Sequence, residues 1–184
     1  MKLSELIEGR IKLNVPATNW EEAVRAAGAL LESKGDISPA YTEAMVKVVR
    51  ELGPYAVIAP GVALPHARPE DGVRRSCLGL VRLAAPVEFG NKANDPVDLV
   101  FPLGGTRDEG HLEVLAALAG FLSTPGNLEA IRKARTEEEV LSVFRQGERK
   151  EVPGDANRDV VRDGIRKQFD AEDDHRGYLA GPRH

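Results

Sequence analysis

Residues 59–70 read "APGVALPHARPE", and the rest of the chain is read outward from them. A short apolar run, Val62-Ala63-Leu64, delivers a proline and then a histidine. Pro65 fixes its own φ and biases Leu64 toward extended backbone, so His66 leaves the end of a strand in a set direction. Gly61, just before the run, permits a backbone approach closed to other residues. Arg68 follows two positions after the histidine and can pair with an anion at the ring. Imidazole is neutral and nucleophilic near neutral pH, as phosphoryl acceptance requires. Against this stands the plainer reading of a histidine that packs or hydrogen-bonds at a strand end.

Upstream, "RIKLNV" (10–15) reads as a first strand. Asn19 with Glu22 three residues on has the form of a capping box, opening a helix that carries Trp20, Ala23, Val24, Ala27, Leu30 and Leu31 on one face. Ser38-Pro39 marks a second start, a capping serine with proline at the first helical position. Tyr41, Met45, Val48, Val49 and Leu52 then line the inward face, and Gly53-Pro54 stops the helix.

Four strand-like runs follow, "YAVIA" (55–59), "GVAL" (61–64), "CLGLVRLAA" (77–85) and "VDLVFPL" (97–103), separated by turn residues. "DEGHLEVLAALAGFLS" (108–123) is a helix, with Asp108 as its cap and Leu112, Leu115, Ala116, Ala119 and Leu122 inward. Thr124-Pro125 starts another helix, running through Leu128 and Ile131. Thr136 with Glu139 caps a last one ending near Phe144. Helix pairs flanking a central group of strands predict a three-layer α/β sandwich, a β-sheet with helices on both faces.

Composition narrows the function. The chain has 184 residues, enough for one sizeable domain and an appendage. Its net charge of −4 argues against a general nucleic-acid binder, which needs a basic surface. No apolar run approaches the roughly 20 residues of a membrane span, and "MKLSELIEGR" lacks the features of a signal peptide, so a cytoplasmic location is expected. From Arg145 onward nine basic residues oppose nine acidic ones, so the whole of the −4 lies in residues 1–144. The expected organisation is a domain over 1–146 and a charged extension over 147–184, partly helical or disordered, with Val160, Val161, Ile165 and Phe169 as one stripe.

His111 is the second candidate. It falls in the first turn of a helix, where unpaired N–H groups and the helix dipole favour negative charge. There it can donate to a phosphoryl oxygen, or it can continue the stripe of Leu115, Leu118 and Leu122 as a buried ring. The "PLGGTRDEG" loop before it matches no nucleotide fingerprint, so no nucleotide or other cofactor is expected. A metal held by His66, His111 and Glu70 or Asp71 has no supporting ligand spacing, and none is assigned. There is no GxSxG elbow, and Cys77, the only cysteine, sits in an apolar run as a core residue. His175 and His184 stand in the polar tail, where a solvated side chain is the default.

At this point "ELGPYAVIAPGVALPHA" (51–67) resembles the phosphohistidine signature of the mannitol/fructose-type (type 2) enzyme IIA components of the bacterial sugar phosphotransferase system. Glu51 meets its acidic or amide position, Ile58 and Ala59 its apolar-small pair, and Val62 to Ala67 its apolar-Ala-apolar-Pro-His-small run. The likeness continues through "FGNKANDPVDLVF" and "GHLEVLAALAGFLS" and covers roughly residues 1–144. It implies a mixed β-sheet with helices on both faces, His66 as the phosphoryl-carrying residue and His111 as the second active-site histidine. Arg68 as a charge-neutralising residue is a physical inference added to that pattern. Ala67, where mannitol, fructose and nitrogen-regulatory relatives usually have glycine, makes "LPHARPEDG" most similar to the ascorbate-type branch.

The implied function is that of a phosphocarrier. Phospho-HPr would donate to His66, and a sugar-specific EIIB would accept, with the membrane EIIC reached only through EIIB. The alternative from another class is a regulatory module whose phosphorylation state controls a protein partner.

Overall fold

Alternation along the strands sorts the apolar side chains into two separate clusters, one on each face of a sheet. The computed structural model of the protein describes residues 2–106 and 110–149. Its strands are β1 (Ile11–Val15), β2 (Val57–Ala59), β3 (Val62–Ala63), β4 (Cys77–Leu78), β5 (Leu80–Val87), β6 (Val97–Val100) and β7 (Leu103–Gly104). Its helices are α1 (Leu3–Ile7), α2 (Trp20–Ser33), α3 (Pro39–Leu52), α4 (Gly110–Ser123), α5 (Asn127–Lys133) and α6 (Glu137–Arg149). Five strands form one sheet in the order β1-β5-β6-β3-β2, and β4 pairs with β7 in a two-stranded ribbon. The large sheet is mixed: β1 runs parallel to β5 and β3 to β6, while β5 with β6 and β2 with β3 are antiparallel.

Successive strand residues point to opposite faces. Ile58, Val62, Leu64, Leu80, Leu99 and Phe101 pack with α1, α4, α5 and α6 on one side. Val57, Ala63, Val81 and Val100 pack with α2 and α3 on the other. Both faces are covered, which is why these strands read as nearly continuous apolar runs. The expected three-layer sandwich is present.

The helix starts at Asn19 and Thr136 hold, with one shared shift. Asn19 Oδ1 accepts from the Glu22 N–H at 2.9 Å, and Thr136 Oγ1 from the Glu139 N–H at 3.1 Å. The reciprocal carboxylate bonds reach one residue further back, to the N–H of Thr18 and of Arg135. Pro39 occupies the first turn of α3 as expected, but the Ser38 side chain makes no cap bond; its N–H donates to the Gly72 carbonyl instead.

Other boundaries differ. The run at 77–85 is broken at Gly79, where the chain changes partners: Gly79 N–H donates to the Pro102 carbonyl and Leu80 N–H to that of Arg10. Tyr55 and Ala56 belong to a 3₁₀ turn, Gly53–Ala56, so the second strand starts at Val57. In α4, Leu112 (68% exposed) and Ala116 face outward, and Val114, Leu118 and Phe121 join Leu115, Ala119 and Leu122 inside. The helix expected to start at Thr124-Pro125 begins at Asn127, because the Ser123 and Thr124 hydroxyls bond back to the Ala119 and Gly120 carbonyls and close α4. The last helix continues past Phe144 to Arg149. Asp108, the tail stripe, His175 and His184 lie outside the described residues.

Candidate functional site

The site is built on the hairpin between β2 and β3. Its turn needs a left-handed residue, and Gly61 supplies φ +74°. A Cβ there would also strike the Arg132 guanidinium and come within 2.8 Å of Asp98. Arg132 clasps this turn: it donates to both Asp98 carboxylate oxygens, at 2.8 and 2.9 Å, and to the Pro60 carbonyl at 3.0 Å. The Gly61 carbonyl accepts from the N–H groups of Asp98 and Leu99.

From this anchor the chain runs alongside β6. Val62 and Ala63 pair in parallel with Leu99 and Val100. The pairing continues past the strand ends, with Phe101 N–H donating to the Ala63 carbonyl and Leu103 N–H to the Pro65 carbonyl. On the other side Leu64 N–H donates to the Ala56 carbonyl at 2.9 Å. Pro65, with no N–H to offer, carries no such bond forward, and the chain turns away with His66 at the strand end.

The ring of His66 folds back onto the backbone just past the end of β3. Nδ1 lies 3.0 Å from the Leu64 carbonyl oxygen. A carbonyl only accepts, so Nδ1 carries the hydrogen, and in the neutral ring Nε2 carries the lone pair. His66 is 1% exposed, so this tautomer is held by a bond that bulk water does not compete for.

Ala67 is buried as well, and its N–H donates to the Tyr41 hydroxyl at 3.0 Å. Arg68 is exposed; its N–H donates to Asp71 Oδ2 and opens a 3₁₀ turn, Pro69–Asp71. The following loop is tied to the body through Asp36, whose fully buried carboxylate takes Arg10 and Arg75 and whose carbonyl takes the N–H groups of Arg74 and Arg75. That carboxylate, by direct hydrogen bond, raises the already high pKa of Arg10.

His111 is the second residue of α4, reached from β7. Its side chain and residues 107–109 lie outside the described residues. Cys77 is buried in the core, and desolvation pushes its thiol up to about 12. Among the described residues, no group of three His, Cys, Asp or Glu side chains stands together as a metal ligand set. What sequence reasoning missed is the Tyr41 hydroxyl. Its ring was expected on the inward face of α3, but nothing local says what the oxygen meets.

The model of one family, phosphoenolpyruvate-dependent sugar phosphotransferase system EIIA 2, matches residues 6–147. The chain belongs to this family. It is therefore an EIIA component, a phosphotransferase that carries the phosphoryl group as a phosphohistidine. An ascorbate-specific EIIA component of Escherichia coli K12 is 38% identical over 147 residues, spanning 78% of this chain and 96% of its own. The solution structure of the cryptic mannitol-specific enzyme IIA CmtB of Escherichia coli is similar with a TM-score of 0.72 at 32% identity, covering 79% of this chain and 99% of that one. Escherichia coli mannitol enzyme IIA, in complex with phosphorylated enzyme IIB, matches with a TM-score of 0.66 at 26% identity, over 75% of this chain and 95% of that one. No single helix among the described residues of this EIIA is long and apolar enough to cross a membrane.

Proposed function

We propose that His66 carries the phosphoryl group, received from phospho-HPr and passed to the EIIB of an ascorbate-type transporter. The observation that carries the site assignment is the bond between His66 Nδ1 and the Leu64 carbonyl. It fixes the tautomer in which Nε2 holds the lone pair that attacks phosphorus. In the transfer the Nε2–P bond forms as the donor's N–P bond breaks, and the donor's imidazole keeps the released electron pair. The His66 ring becomes an imidazolium, still protonated at Nδ1, and the Leu64 carbonyl stabilises that charge without having to move. The same geometry serves the onward step, in which Nε2 is the leaving group. Such a reaction depends on alignment and charge stabilisation more than on further covalent groups.

His111, at the start of α4, supplies a hydrogen bond to a phosphoryl oxygen in this reading, and Arg68, two residues after His66, supplies exposed positive charge. The ascorbate assignment is supported by the curated relative named above and by Ala67 in place of glycine. An EIIB acceptor is supported by the mannitol complex, and phospho-HPr is the donor that the family's chemistry implies. The acidic body suits a basic partner face and an electrostatically steered encounter. Residues 1–146 form the carrier domain, 147–184 an extension, and the protein works in the cytoplasm, meeting membrane EIIC through EIIB.

The acceptor assignment is tested by loading the protein with radiolabelled phosphate and offering it ascorbate-type and mannitol-type EIIB in parallel. The expected result is faster transfer to the ascorbate-type protein. Equal or inverted preference would remove the sugar assignment while leaving the carrier intact.

A further inference from the structure

We infer that Tyr41 is a positioning residue for phosphoryl transfer, its hydroxyl fixing the backbone on the far side of His66; this rests on His66 being the carrier. Tyr41 is fully buried on α3. Its hydroxyl oxygen accepts from the Ala67 N–H at 3.0 Å, and its hydrogen goes to the Leu103 carbonyl at 2.6 Å. Leu103 in turn donates its own N–H to the Pro65 carbonyl at 3.1 Å. The bonds therefore run Pro65 to Leu103, Leu103 to Tyr41, and Tyr41 to Ala67. This circuit closes around His66 and holds the residue before it and the residue after it.

Without the hydroxyl, Pro65 would still be tied to Leu103, but Ala67 would not. The segment after His66 would then lose this tie beside the histidine, and its next described anchors are the Arg68–Asp71 turn, the Gly72 carbonyl and Asp36 further on. The circuit also reaches β7. Leu103 lies in β7, whose chain leads on to α4 and His111. One hydroxyl thus ties the backbone after His66 to β7, although neither is near Tyr41 in sequence. A phenylalanine would fill the same volume and leave a buried N–H and a buried carbonyl without this partner, so packing alone does not require the oxygen.

The test compares Tyr41→Phe with Val49→Ala, a buried substitution on the same helix that loosens the fold without touching the circuit. Phosphate acceptance and onward donation are timed by rapid quench, and the His66 ring nitrogens are followed by ¹⁵N NMR in unphosphorylated protein. Tyr41→Phe is expected to label at His66 but to transfer about 10–100-fold more slowly in both directions, the order of loss that a small misplacement brings. Its ring-nitrogen shifts should move away from the single Nδ1–H form. Val49→Ala should lower the melting temperature with wild-type rates and shifts.

Wild-type rates and shifts in Tyr41→Phe would overturn the inference, as would equal slowing in Val49→Ala. Amide exchange in the wild type gives an arm that needs no variant: the Ala67 N–H is expected to be protected, and free exchange would refute the bond. If the folded wild type takes no phosphate at all, the carrier assignment itself fails, a result distinct from any of these.

Discussion

The side chain of His66 is oriented by the backbone of Leu64, two residues earlier in the segment that leaves β3, through a 3.0 Å contact to Nδ1. Because Nδ1 is engaged as a donor, only Nε2 offers a lone pair in the neutral ring. The phosphorylated protein is therefore expected to carry its phosphate on Nε2. Phosphorus–proton correlation NMR distinguishes the two nitrogens directly, and phosphate on Nδ1 would show that the ring turns over before it reacts.

His111→Ala is expected to leave the acceptor in place and to slow its reaction. Loss of one donor to a developing phosphoryl charge costs on the order of 100-fold in rate. Quench-flow transfer with intact final labelling of His66 is the expected pattern. Unchanged rates in both directions would make His111 a packing residue.

Gly61→Ala should destabilise the fold, because φ at this residue is +74° and the new Cβ would displace the clasp that Arg132 makes with Asp98 and Pro60. Backbone strain of this kind costs about 1–3 kcal/mol. The expected outcome is a lowered midpoint in denaturant with an unchanged slope, and a slower carrier, since the hairpin turn aligns β3. A midpoint equal to wild type would mean that the turn can take another conformation.

The strand that delivers His66, the helices capped at Asn19 and Thr136, and the placement of helices on both faces were legible in the sequence, because each depends on neighbours within a few positions. The face of α4 was not. Leu112, Val114, Leu115, Ala116, Leu118 and Ala119 are so evenly apolar that periodicity offers little contrast, and the inward side is the one packed with the sheet cluster and with α6, where Phe121 stacks on Phe144. Helix α1, five residues long, is too short for a periodic signal and exists through packing on α6, helped by Ser4 donating to Glu148. The Tyr41 hydroxyl was invisible for a different reason: its partners at Ala67 and Leu103 lie 26 and 62 residues away.

Cys77 is expected to be inert in the folded protein. Burial raises its thiol from 9.0 to about 12, so the native state keeps a proton that the unfolded chain gives up near 9. Its contribution to stability is complete below about 9 and is lost as the pH rises toward 12. Iodoacetamide at pH values near 8 should label denatured but not native protein. Rapid labelling of the native form would place the thiol outside the core.

The most direct test of the account is to incubate the full chain with phosphoenolpyruvate, enzyme I and HPr, alongside His66→Ala, and to map phosphate by mass spectrometry under alkaline conditions. One acid-labile phosphate on His66, absent from a folded His66→Ala variant, is the predicted result. Phosphate on another residue, or undiminished labelling of His66→Ala, would contradict it.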